Sequence, residues 1–161
     1  MTRADLIITA VLSLLPISEL RGAIPYAASK NADPLFAYFY CVFFNILVAP
    51  FFYVFISTIH RFLENFSFYS RIFEKLVVKT RDKVKNNIEK YGYLGIMLFV
   101  AVPLPITGAY TGTMGAWVLG LGKRKTFLAV SAGVAIAGII VSLVLYSGME
   151  AFSFLTKRIS L

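Results

Sequence analysis

Three long stretches of this chain carry no charged residue: Pro34–Ile59, Gly92–Gly122 and Thr126–Met149. Their apolar residues neither alternate nor keep to one stripe, so they suit neither a half-buried strand nor a helix with a watered face. A bilayer core of about 30 Å is crossed by about 20 apolar residues of helix, so each stretch is long enough to span. The pattern predicts an all-α integral membrane protein. A fourth apolar run, Leu6–Leu15, covers about 15 Å as helix, half of a bilayer. Pro16 interrupts it, and Glu19, Arg21, Gly22 and Pro25 follow. Ile24–Ser29 reads as a second short arm. Leu6–Ser29 is therefore either one kinked span or a re-entrant hairpin that enters and leaves on the same side.

Asn31–Pro34 is a turn with a helix-start signal, Asp33 as N-cap and Pro34 at the first helical position. The span that follows carries Tyr38, Tyr40 and Tyr53 as candidate interface anchors, with Asn45 and Pro50 inside it. Asn45 reads most simply as an interhelical hydrogen bond of about 0.6 kcal/mol, and otherwise as a substrate contact. The Gly92–Gly122 stretch, at 31 residues, is too long for one upright helix and too short for two full spans. Its middle, VPLPITGAYTGTMGA, holds Pro103, Pro105, Gly108, Gly112 and Gly115, a density that breaks a helix. A second hairpin fits, with arms near Leu94–Val102 and Thr113–Leu121. Thr126–Met149 is a clean span, with Ala132, Gly133, Ala137 and Gly138 as a small-residue face for close packing.

Pro16-Ile17-Ser18 and Pro105-Ile106-Thr107 correspond: each follows a short apolar arm and precedes a clean span by 18 or 20 residues. One membrane domain, residues 1–161, then divides into repeat 1 (1–60), a linker (61–91) and repeat 2 (92–161). If each broken segment makes no net crossing, the two copies face opposite ways, an inverted repeat with the two breaks meeting near the midplane. Broken segments at corresponding positions of two halves point to a transport site. Counting positive charge does not choose between hairpins and four full spans, because either topology leaves 11 cations inside and 4 outside. The shortness of Leu6–Leu15 favours hairpins.

Charge adds a surface. Of 16 Lys and Arg, eight lie in Arg61–Lys90. There Ile72, Leu76, Thr80, Val84 and Ile88 recur at four-residue spacing with lysines and arginines between them, a basic amphipathic helix for anionic headgroups or a solvated linker. This places the loop in the cytoplasm, beside a cell membrane, and gives no reason to expect nucleic acid as a partner. The single Cys41 excludes an intramolecular disulfide and reads as a packing residue. Glu19 and Arg21 rather than small residues follow the first apolar run, which argues against a cleaved signal peptide. His60, the only histidine, sits beside Arg61 at a span end and reads as an interface residue, so neither an enzyme nor a metal or cofactor site is expected.

Ionisable residues at membrane depth are costly and mark function. The candidate substrate- and proton-binding residues are Pro16, Glu19, Arg21, Gly22 and Pro25 in the first break. In the second they are Pro105, Thr107, Gly108, Tyr110, Thr111 and Gly112, with Asn45 between. One break supplies charge and the other close backbone.

The pair PISELRGAIP (Pro16–Pro25) and PLPITGAYTG (Pro103–Gly112) resembles the prokaryotic small multidrug export family, a compact branch similar to the DedA/VTT superfamily of membrane proteins. The resemblance covers nearly the whole chain and implies two membrane-embedded hairpins, each beside a transmembrane helix. It also implies proton-coupled transport using an acidic residue of the first hairpin, which by position is Glu19, and lipid carriers such as polyprenyl phosphates as superfamily substrates. DedA proteins place an arginine in the second hairpin, and this chain has none there. Three readings follow: translocation of an anionic lipid or lipid phosphate with Arg21 on the phosphate, proton-coupled export of hydrophobic cations on Glu19, or a structural Glu19–Arg21 pair without transport. Membrane lipids and a small-molecule or lipid substrate are the expected partners, with a homodimer as a further possibility.

Overall fold

The computed structural model describes residues 1–63, 65, 92–104 and 107–159, and all regular structure among them is helical. Helix α1 (Arg3–Leu14) starts with a capping box, in which the Thr2 hydroxyl accepts from the Asp5 amide while the Asp5 carboxylate accepts from the Thr2 amide,. It stops where a residue preceding proline must be extended: Leu15 has φ −76° and ψ 134°. After the turn comes α2 (Glu19–Ser29), and after a second turn α3 (Pro34–Leu63). Asp33 caps α3 as expected, its Oδ1 accepting from the amides of Leu35 and Phe36 at 3.0 Å each,. Then follow α4 (Gly92–Ala101), α5 (Ala109–Val118) and α6 (Lys123–Ile159).

The arms differ from the sequence expectation. The second arm of the first unit begins at Glu19, not Ile24, so Gly22 and Pro25 lie inside a helix and only Leu15–Ser18 is broken. In the second unit α5 starts at Ala109 and takes in Gly112 and Gly115. The physical reason is the same in both. Away from water, a helix is the cheapest way to satisfy backbone groups, and the glycine positions are where neighbours press in. A Cβ on Gly112 would collide with Val100. The amphipathic helix expected at Ile72–Lys90, Pro105, and the side chains of Glu150, Lys157 and Arg158 lie outside the described residues.

Among the described residues two helices, α3 and the Lys123–Met149 part of α6, are long and apolar enough to cross a membrane. They pack on each other, α1 and α2 pack on α3, and α5 packs on both. Leu20, Ile24, Cys41, Val48, Val100, Val130 and Val134 form the shared core. Outward, α3 exposes Phe39, Phe43, Phe51, Phe55 and Phe62, and α6 exposes Leu128, Ile139, Leu143 and Val144. An apolar core under an apolar exterior is that of a protein solvated by lipid.

Close approach of α6 depends on the small-residue face. A Cβ on Gly133 would stand 2.6 Å from the Met97 carbonyl oxygen and 2.7 Å from Val100 Cβ, and one on Gly138 would stand 2.7 Å from Val42 Cγ2. Because a backbone carbonyl cannot swing aside, Gly133→Val is expected to lower unfolding stability in detergent by about 3 kcal/mol, the upper range for overpacking. An unchanged denaturation midpoint would show that α4 does not lie against α6 there. Tyr38, Tyr40 and Tyr53, the candidate interface anchors, donate to the carbonyls of Ala135, Leu6 and Leu121 at 3.1, 3.1 and 3.3 Å. A phenol with a carbonyl in reach bonds it, because in lipid the alternative is no partner.

Candidate functional site

The two breaks meet. Pro16 leaves the last carbonyls of α1 without helical donors, and two are taken by other elements. Asn45 Nδ2 on α3 donates to the Ser13 carbonyl at 2.7 Å, and the Tyr110 hydroxyl on α5 donates to that of Leu14 at 2.6 Å. Asn45 thus makes the interhelical bond its sequence position suggested. Replacing it with leucine is expected to cost about 1–2 kcal/mol, since the hydrogen bond is lost and a buried carbonyl stays unpaired. Equal unfolding midpoints for both forms would remove that bond from the account. In the second break the Thr107 hydroxyl does the same locally, accepting from the Leu104 amide at 2.9 Å and donating to the Val102 carbonyl.

Glu19 emerges from the first break with φ 45°, a left-handed conformation that costs a side-chain-bearing residue about 1 kcal/mol or more and persists only where surroundings enforce it. That backbone aims the carboxylate at the second break. Gly108, with φ 159° and ψ −170°, adopts a conformation essentially reserved for glycine, and a Cβ there would collide with the Glu19 carboxylate. The Tyr110 amide, in the first turn of α5, points at Glu19 Oε1 from 3.5 Å. Arg21 Nη2 lies 3.8 Å from Glu19 Oε2 and donates to the Thr107 carbonyl at 3.2 Å. Each charged residue of the first break therefore touches backbone of the second.

Glu19 is 6% exposed, and a carboxylate this deep needs compensation from a counter-charge and from donors. It has both: the Arg21 guanidinium and the positive end of the α5 dipole. Among the described residues Arg21 Nη1 is buried without a hydrogen-bond acceptor. Around the pair lies a cavity of about 10 Å³ lined by Glu19, Arg21, Asn45, Thr107 and Gly108, with Val134, Ala137 and Val141 of α6 closing it. That is room for about one water, so the breaks are shut on each other in this conformation. Beside it a groove of about 280 Å³ runs outward from Arg21 between Pro25, Pro103, Val144 and Leu145.

Of the residues proposed from sequence, Glu19, Arg21, Asn45, Thr107 and Gly108 line the cavity, and Pro25 lines the groove. Tyr110 contributes its amide and hydroxyl to the junction. Pro16 and Thr111 are exposed, Gly22 faces Ser18 and Gly112 packs on Val100, so these four shape the turn and the arms and do not reach the cavity. Pro105 lies outside the described residues. The α6 wall was missed. Its small-residue periodicity marked a packing face, and Ala137 belongs to both.

No match was found among curated proteins or solved structures. A family profile does match residues 19–140, more than half of the 161 residues, and begins at Glu19 itself. It covers α2, α3, the second break and α6 as far as residue 140, so the chain belongs to the small multi-drug export protein family.

Proposed function

We propose that the chain is a proton-coupled transporter whose substrate is an amphiphilic anion, a lipid or lipid phosphate of the polyprenyl phosphate kind. The observation that carries this reading is the seat of Glu19. Its carboxylate lies where an anion would bind, at the N-terminal amides of α5 with a guanidinium beside it,. In this shut state the protein's own carboxylate fills the site. Protonating Glu19 removes that negative charge, and Arg21 and the α5 amides then favour an anionic headgroup in its place. Deprotonation restores the competitor and expels the headgroup. Proton and anion bind together, so they travel together. The groove from Arg21 past Pro25, Val144 and Leu145 suits the apolar tail. The two broken units act as re-entrant hairpins of an inverted repeat, moving against α3 and α6 to open the site to one side and then the other.

The family's name favours a second reading, export of hydrophobic cations bound on Glu19 in exchange for a proton. Arg21 at 3.8 Å opposes a cation there, which ranks this reading below the first.

The test is transport in proteoliposomes with and without a pH gradient, using a fluorescent polyprenyl phosphate and, separately, a cationic dye. The first reading expects acid on the donor side to drive lipid movement, Glu19→Gln to keep movement but lose the pH dependence, and Arg21→Ala to lose movement by at least tenfold. Lipid movement indifferent to both substitutions would end it. Dye accumulation that follows the gradient and needs Glu19 would establish the second. If neither probe moves while both substitutions lower the unfolding midpoint, the pair is structural.

A further inference from the structure

The first turn of α6 holds Lys123, Arg124 and Lys125, all exposed, with no acidic residue in that turn. Cations at the positive end of a helix dipole repel it, and neither ion pair among the described residues involves any of the three. Two are held in place by aromatic rings: Lys123 Nζ lies 5.9 Å from the Tyr53 ring centroid and Lys125 Nζ 5.3 Å from that of Tyr93. The Tyr93 hydroxyl in turn accepts from the Gly122 amide at 3.3 Å, which ties the foot of α4 to the start of α6.

Directly below this cluster a groove of about 450 Å³ runs between α4 and α6, walled by Leu94, Met97, Leu128, Ala129 and Ala132, with Tyr93 and Lys125 at its mouth. From Lys125 to Ala132 the helix rises about 10 Å, roughly the depth reached by half an acyl chain below its headgroup. The feature is amphipathic in one direction, with positive charge at the rim and an apolar channel beneath. It is also separate from the cavity at Glu19, sharing no lining residue with it.

We infer that the α4–α6 groove is a binding site for one anionic glycerophospholipid, its phosphate at Lys125 on the groove's mouth within the wider field of Lys123 and Arg124, and one acyl chain between Leu94, Met97, Leu128 and Ala132. The occupant is a bilayer lipid because neither half suffices by itself. A free anion would leave the apolar walls unfilled, and a neutral lipid would bring no counter-charge to Lys125 at the mouth, which pairs with no carboxylate among the described residues. A lipid there fastens α4 to α6 at the membrane surface.

Native mass spectrometry of the detergent-solubilised full chain, given dioleoyl phosphatidylglycerol or dioleoyl phosphatidylcholine, tests this directly. One phosphatidylglycerol should stay bound at collision energies that strip phosphatidylcholine, with at least tenfold greater retention. The variant K123Q/R124Q/K125Q should bring the two lipids to equal retention. Ala132→Phe, which keeps every charge and fills the channel, should also release the retained lipid. Equal retention of both lipids by the unaltered protein would overturn the inference. So would retention of phosphatidylglycerol in Ala132→Phe, since the headgroup would then be held by charge alone, as on the basic 61–91 segment. Displacement of the lipid by millimolar inorganic phosphate would overturn it as well, assigning the cluster to a free anion. Helical circular dichroism equal to that of the unaltered protein establishes that each variant is folded.

Discussion

Arg21→Ala is expected to lower the unfolding stability of the protein by about 3 kcal/mol, the range for removing one partner of a buried ion pair. The loss comes less from the attraction at 3.8 Å than from what remains. Glu19 would keep its carboxylate at 6% exposure with only the α5 amides to compensate it. Glu19→Gln should cost far less, about 1 kcal/mol, because the amide oxygen still accepts from Tyr110 and a partly exposed guanidinium can lean toward the groove. The ordering has a sharp corollary: adding Glu19→Gln to Arg21→Ala should recover stability, a non-additivity of neighbouring residues that a double-mutant cycle reads. Urea or SDS unfolding of the four proteins in one detergent measures it. Additive losses would mean that the two side chains do not share a site.

Gly108→Ala is the second large effect. It combines a backbone conformation that disfavours any Cβ, at about 1–3 kcal/mol, with a collision against the Glu19 carboxylate. A methyl group there forces the breaks apart, so transport and stability should fall together, the midpoint by about 3 kcal/mol and the transport rate by at least tenfold. Shortening the opposing side chain separates the two causes. Glu19→Asp in the Gly108→Ala background should restore part of the stability by relieving the collision while leaving the strain. Full tolerance of alanine at 108 would show that the second break does not press on the first.

Much of the fold could be read from the chain. Its apolar runs gave α3 and the apolar part of α6, the Asp33–Pro34 signal gave the start of α3, and Pro16 and Pro103 gave the two breaks. Where the reading erred, it treated Gly22, Pro25, Gly112 and Gly115 as breakers. Local propensity says so, but in a lipid-solvated bundle tertiary contact overrides it, and Gly112 in a helix is what Val100 requires,. Charges two apart between prolines were enough to nominate Glu19 and Arg21. The left-handed backbone of Glu19, which turns its carboxylate onto Gly108, is set by the far half of the chain and leaves no local signature. The same holds for the hydroxyls of Tyr38, Tyr40 and Tyr53, whose carbonyl partners lie 34 to 97 positions away and leave no local mark.

Trp117 is the sole tryptophan of the chain, and it sits on the seam between the second broken unit and α3. Its indole N–H donates to Ser57 Oγ at 3.2 Å, and its ring meets that of His60 edge-on at 5.0 Å. Any rocking of α5 against α3 must change both contacts, and an indole's emission shifts with its hydrogen bonding and with the ring packed against it. The molecule therefore carries its own optical gauge of whether α5 and α3 part, readable in unlabelled protein.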